Sequence, residues 1–322
     1  MHAVTRYIVS RLLQAVPTVF LASIAIFLLI RLIPGDPALL LAGPDASPEA
    51  IQALRQKLGL DQPLPVQYVI WAGSAVRGDL GLSMISRYEV WQLLGMRLPA
   101  TLELTVTAFV LTLLVALPLG ILAAVKQHSS LDATVGVYTA LGLGVPNFWL
   151  GILFILLFAL ALGWLPPQGR VPLLEEPGRA WRHLLMPAVT LAVTQSAILT
   201  RFVRASMVEV LYEDHVRTAR AKGLRERVVV IRHAFRNALI PVVTVIGIQI
   251  GRLLGGAVIV ESVFAWPGVG RMMLKAIEER DYAVVQGGLL LMVMAFIAIN
   301  LLTDLAYAFI DPRVRPASGG SR

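Results

Sequence analysis

Long stretches without a charged side chain constrain this chain more than any other feature. Leu12–Ile30, Leu104–Val125, Ala133–Gly169, Leu184–Thr200 and Tyr282–Thr303 contain no Asp, Glu, Lys or Arg, and Asn237–Val260 is interrupted only by Arg252. A bilayer core about 30 Å thick is crossed by about 20 apolar helical residues. The runs therefore predict an all-α membrane protein with six transmembrane helices. In the third run, Pro166-Pro167 must end the helix early. Arg6 and Arg11 ahead of an apolar stretch resemble the start of a signal peptide, but the run is long enough to span and five more follow. We read it as an uncleaved first helix. Only 15% of residues are charged, against about 25% in soluble domains.

Orientation follows from Lys and Arg density. Segments 1–11, 126–132, 201–236 and 311–322 hold 15 basic residues in 66 positions, whereas 31–103, 161–183 and 261–281 hold 12 in 117. Both termini are therefore expected in the cytoplasm. The chain divides into an N-terminal tail and first helix (1–33), an extracytoplasmic segment (34–100), a five-helix core (101–310) with a cytoplasmic loop at 207–240, and a cytoplasmic tail (311–322). The net charge of +8 reflects basic loops rather than nucleic-acid binding.

The extracytoplasmic segment carries its own helix signal. Ser47 can cap, Pro48 suits the first turn and Gly59 can end the helix after Leu58. It reads either as a small cap over the spans or as a docking surface for a soluble partner.

The cytoplasmic stretch 201–240 reads helix, glycine, helix. Gly223 stands at the corner, where a left-handed backbone suits glycine. Ala219 and Ala221 make the first helix thin, a shape suited to insertion into a groove of another protein. The competing reading is a basic amphipathic loop lying on anionic membrane lipid.

Several chemistries are excluded. The chain has no cysteine, so it has neither disulfides nor thiolate chemistry. No Gly-Lys dipeptide occurs, so there is no P-loop, and HExxH and GxSxG are missing too. His2, His128, His183, His215 and His233 are scattered and do not form a metal set. No residue is expected to be catalytic.

Few polar groups lie in the spans. Glu103, Glu261 and Asp304 sit at ends. Arg252 lies deep, where a charge costs about 2.5–3.5 kcal/mol on insertion scales. It can snorkel, pair with an acid or face a wet cavity. Asn147, Gln249, Arg252 and Glu261 are the candidates for a path or gate, with Gln195 and Asn300 as further polar lining. Gly247, Gly251 and Gly255 repeat every four residues and permit close helix packing, within the chain or against a second subunit.

The segments HVRTARAKGL (His215–Leu224) and RHAFRNALIP (Arg232–Pro241) resemble the cytoplasmic EAA loop of binding-protein-dependent ABC importer permeases. More narrowly, they are similar to the dipeptide/oligopeptide/nickel permease family. IPGDP (Ile33–Pro37), LGLDQPL (Leu58–Leu64), RGDLGLS (Arg77–Ser83), LPATLEL (Leu98–Leu104), VPNFW (Val145–Trp149), ESVFAWPGVG (Glu261–Gly270) and DPR (Asp311–Arg313) agree in order along nearly the whole chain. Arg217 stands where the general EAA pattern has glutamate.

The resemblance implies a type I ABC importer permease in a bacterial or archaeal inner membrane. Its partners would be a second permease subunit of paralogous sequence, two cytoplasmic ATPase subunits that hold the ATP and magnesium, and an extracytoplasmic solute-binding protein. Glu213, Arg217, Thr218, Ala219, Arg220, Ala221, Lys222, Gly223 and Leu224 would form the helix coupled to the ATPase, with Arg217, Arg220 and Lys222 pairing with acids around its groove. Dipeptides or oligopeptides are the expected cargo, with nickel or glutathione as alternatives. An ion-coupled carrier would need a proton or sodium site within the spans, and an intramembrane enzyme would need a nucleophile or metal set. Neither is evident.

Overall fold

The computed structural model describes residues 2–32, 37–43, 46–57 and 59–310, and every regular element among them is helical. Residues 33–36 of the IPGDP motif, Leu58 and the tail 311–322 with its DPR motif lie outside the described residues, as does the side chain of Asp304.

Helix α1 (His2–Leu32) is followed by three short helices, α2 (Pro37–Ala42), α3 (Pro48–Lys57) and α4 (Leu64–Val76). Ser47 starts α3, its Oγ accepting the Ala50 amide at 3.2 Å. Gly59 turns the chain beyond it at φ +65°. Helix α4 lies along α1, with Tyr68 edge-on to Phe20 and Phe27 and its hydroxyl 2.8 Å from Ser23 Oγ.

The charge-free runs understate the helices that contain them. Helix α5 (Val90–Val125) has 36 residues and α8 (Pro177–Leu211) has 35, about 50 Å each at 1.5 Å per residue. Both therefore project beyond a bilayer core.

The third run is not one helix. Helix α6 (Ser130–Gly144) and α7 (Asn147–Phe154), which continues as a π-helical turn to Ala161, are bent by 102° about Val145-Pro146. The absence of charge gave no sign of this break. Its cause is local, because proline disfavours the helical region for the residue before it, and Val145 is extended at φ −93°, ψ 120°.

The two ends of the bent pair are tied to opposite ends of the bundle. At its start, Asp132 binds Arg204 near the end of α8; beyond its end, Arg170 binds Glu103 near the start of the α5 span. Counted as one broken span, it completes six.

The chain continues through α9 (Asp214–Ala221), α10 (Glu226–Val228), a π-helical turn Val229–Phe235, α11 (Arg236–Val263), α12 (Val269–Glu278) and α13 (Tyr282–Ile310). Helix α8 is the hub, packed on α5, α6 and α11. Small residues set the spacing. A Cβ on Gly120 would lie 2.7 Å from Val203, and one on Gly142 would lie 2.7 Å from Ala197. Buried apolar clusters fill both ends. Met207, Val216 and Val229 pack on the α9 side; Leu104, Leu253 and Trp266 pack on the α12 side.

Candidate functional site

Helix α9 is a short rod held at a corner. Val216 and Ala219 face inward and are buried, while Arg217, Thr218, Arg220 and Ala221 face out, followed by exposed Lys222, Gly223 and Leu224. Ala219 is thus part of the anchor rather than of the outer surface. Glu213 precedes the helix in extended conformation, and Thr218 Oγ1 donates to the Asp214 carbonyl at 2.8 Å. Gly223 has φ +74°, with open space where a Cβ would sit. Its requirement for glycine is therefore a matter of backbone conformation alone.

The basic residues are arranged differently from the expectation that all three await acids of a partner. Arg217 pairs with Asp214 within its own helix, and Arg220 reaches around the corner to Glu226 at 2.8 Å. That hydrogen bond holds the Arg220 guanidinium above its ordinary pKa. Lys222 forms no ion pair among the described residues. Glu226 lies too far along the sequence for a helical-spacing argument to have found it.

A second tie was also beyond sequence reasoning. His215 contacts Glu213 through Nδ1 at 3.0 Å, and its Nε2 lies 3.0 Å from Asn237 Nδ2 and 3.3 Å from the His233 carbonyl. Helix α9 is thereby fastened to the start of α11. Ser206 Oγ donates to the Ala238 carbonyl at 2.9 Å, which fastens α8 to α11 at the same level.

On the α12 side, Glu261 occupies a sealed position. Its carboxylate accepts from Thr101 Oγ1 at 2.6 Å and from the Arg271 amide at 2.9 Å, and the side chain is fully buried. Thr101 Oγ1 in turn accepts the Val269 amide at 2.8 Å, and Trp266 Nε1 donates to the Ala100 carbonyl at 2.8 Å. A carboxylate at the start of α12 meets free amides and the positive end of the helix dipole. Gly268 leaves room for it, since a Cβ there would collide with the Glu261 carboxylate. Within this chain Glu261, one of the path or gate candidates, faces protein on every side. Glu103 is likewise taken up by Arg170, 2.8 Å from Nε.

The other polar candidates lie within the spans. Asn147 sits at the break between α6 and α7; its Oδ1 accepts from Thr194 Oγ1 at 2.7 Å, and its Nδ2 faces Gly256 of α11. Gln249 and Gln195 are buried. Asn300 lines a cavity of about 210 Å³ between α1 and α13. Arg252 is exposed on α11 and makes no ion pair or hydrogen bond among the described residues. The glycine repeat divides: Gly247 abuts Thr303 and Gly251 abuts Phe296, both on α13, while Gly255 is open.

Known proteins resemble this chain over nearly its whole length. Residues 116–316 match the family described as binding-protein-dependent transport system inner membrane component, and residues 4–105 match its N-terminal companion. The chain belongs to this family. It is 45% identical over 309 residues to the glutathione transport system permease protein GsiC of Escherichia coli O6:H1, covering 96% of this chain and 98% of that one. The same identity and coverage hold for GsiC of Shigella dysenteriae serotype 1. A chain of the methionine ABC transporter MetNI, in inward-facing conformations, superposes with a TM-score of 0.58 at 20% identity, over 68% of this chain and 97% of that one. The fold is that of a type I ABC importer permease.

Membership in this permease family accounts for the missing P-loop. The chain is a transport subunit rather than an enzyme, and ATP hydrolysis belongs to a partner ATPase. As an inner-membrane permease of a binding-protein-dependent system, it works with an ATPase and a substrate-binding protein. Its α9 corner lies in the part of the chain that matches the main family description.

Proposed function

We propose that this chain forms half of the translocation path of an ATP-driven importer of short peptides, with glutathione, itself a tripeptide, as the first cargo to test. The relatives' 45% identity over nearly full length supports that choice over longer peptides. In this reading α9 is the coupling helix. It seats in a groove of the ATPase subunits, which hold ATP and magnesium, and their closure tilts the spans as rigid bodies. The single observation that carries the reading is the construction of the α9 corner. Its inner face is buried, its outer face is exposed, and His215 and Arg220 tie it to α11 and to the segment leading there. A push on α9 therefore reaches α11 directly.

The termini and the α9 corner lie in the cytoplasm, in keeping with the higher Lys and Arg density of those segments. The second permease subunit is a paralogue. Reconstitution tests the whole assignment. Vesicles containing this chain, its paralogue, the ATPase pair and the binding protein should accumulate radiolabelled glutathione on ATP addition. Omitting the ATPase should abolish accumulation. Uptake that persists without it would overturn the reading.

A further inference from the structure

Helix α11 carries one exposed stripe along its length, formed by Thr244, Ile248, Arg252, Gly255 and Ile259. The exposed face of α1 is built mainly from Leu13, Val16, Phe20, Leu21, Leu28 and Leu29, with Gln14 and Thr18 in its first half. What sets the α11 stripe apart is its arginine, since a charged side chain deep in a span does not suit lipid. Arg252 lies eight residues inside the end of its apolar run at Val260, about 12 Å along the helix, a depth from which a long side chain reaches the headgroups only in part. No acid shares the stripe.

The broken span supplies a second observation at the same depth. Asn147 lies against Gly256, one helical turn beyond Arg252 on α11. Gly144 and Pro146, which flank the break, are exposed. Interrupted backbone at membrane depth persists only where protein covers it or where it borders a wet cavity. Arg252 and the open backbone of the break thus lie about one helical turn apart along α11.

We infer that Arg252 is a specificity-determining residue of the path, pairing with a carboxylate of the passing solute while Asn147 offers its amide beside it. The guanidinium presents a fork of donors that fits a carboxylate bidentately. The inference rests on the proposed import of peptide-like cargo and adds to it a preference for solutes with a free carboxylate.

The absence of cysteine makes a direct test available, in the complete reconstituted importer. In the Arg252→Cys variant, a hydrophilic methanethiosulfonate reagent should label the chain, and glutathione with binding protein and ATP should slow that labelling. The Val106→Cys variant, on an exposed apolar position of α5, should stay unlabelled. In parallel, Arg252→Gln should lower glutathione uptake about tenfold, the size expected for losing a hydrogen bond to a charged group. Arg252→Lys should restore part of it, and ATPase stimulation by the binding protein should persist. Labelling no faster at position 252 than at 106 would overturn the inference, as would unchanged glutathione uptake in Arg252→Gln. If the wild-type complex accumulates no glutathione or other short peptide, the proposed function itself fails. If the wild type accumulates it and only these Arg252 results fail, the inference falls alone.

Discussion

At the scale of single residues, Gly223 shows how far sequence reasoning reaches. Only glycine adopts a left-handed corner without strain, so a lone glycine between two helical patterns is enough to announce the turn. The fold adds that nothing lies within 4 Å of a Cβ placed there. Substitution therefore acts through the backbone, where a non-glycine residue pays about 1–2 kcal/mol in the left-handed region. Asparagine tolerates that region and valine does not. Gly223→Val should insert normally yet lose most ATP-driven uptake per ATP hydrolysed, and Gly223→Asn should keep most of it. Equal coupling ratios for the two variants, measured in the reconstituted importer, would remove the conformational explanation. Arg220 shows the opposite case. Its partner Glu226 is met only because the corner folds back, so the sequence suggested a waiting cation where the structure has a satisfied pair.

At the scale of elements, the spans were legible because lipid tolerates few charges, and uncharged runs mark them directly. The helix ends were less so. Helix α5 runs through Arg97 and Glu103, because those side chains lie near one end, where Glu103 meets Arg170. The break in the third span carried a visible sign in Gly144-Val145-Pro146 that the absence of charge concealed. The Glu261 cluster could not be read at all, since it joins residues 160 positions apart. It makes a definite prediction. Glu261→Ala leaves the Thr101 hydroxyl and the Arg271 amide without their acceptor, at about 1–3 kcal/mol for each stranded group. Gly268→Ala pushes a methyl group into the same carboxylate. Both variants should melt earlier than wild type in detergent, and Glu261→Gln, which keeps one acceptor oxygen, should fall between. A wild-type melting temperature in Glu261→Ala would show that the buried carboxylate does not hold α12 to α5.

At the scale of the whole molecule, the glycine repeat on α11 separates what holds the chain together from what it offers to its surroundings. The period of four suggested one packing face, and the sequence left open whether that face meets this chain or another. The structure turns Gly247 and Gly251 toward α13 and leaves Gly255 open on the stripe that carries Arg252. A leucine at 251 must displace Phe296, whose ring lies 2.5 Å from the added Cβ. Overpacking of this kind costs about 1–3 kcal/mol. A leucine at 255 meets nothing within the chain, so it should leave the fold intact while filling space on the stripe where cargo would pass. Gly251→Leu should therefore lower the melting temperature of the purified chain. Gly255→Leu should melt like wild type and still depress uptake in the assembled importer. Measuring melting and uptake on the two variants separates the roles: a fold weakened by Gly255→Leu would place that residue in intrachain packing, and normal uptake with it would remove the stripe from the path.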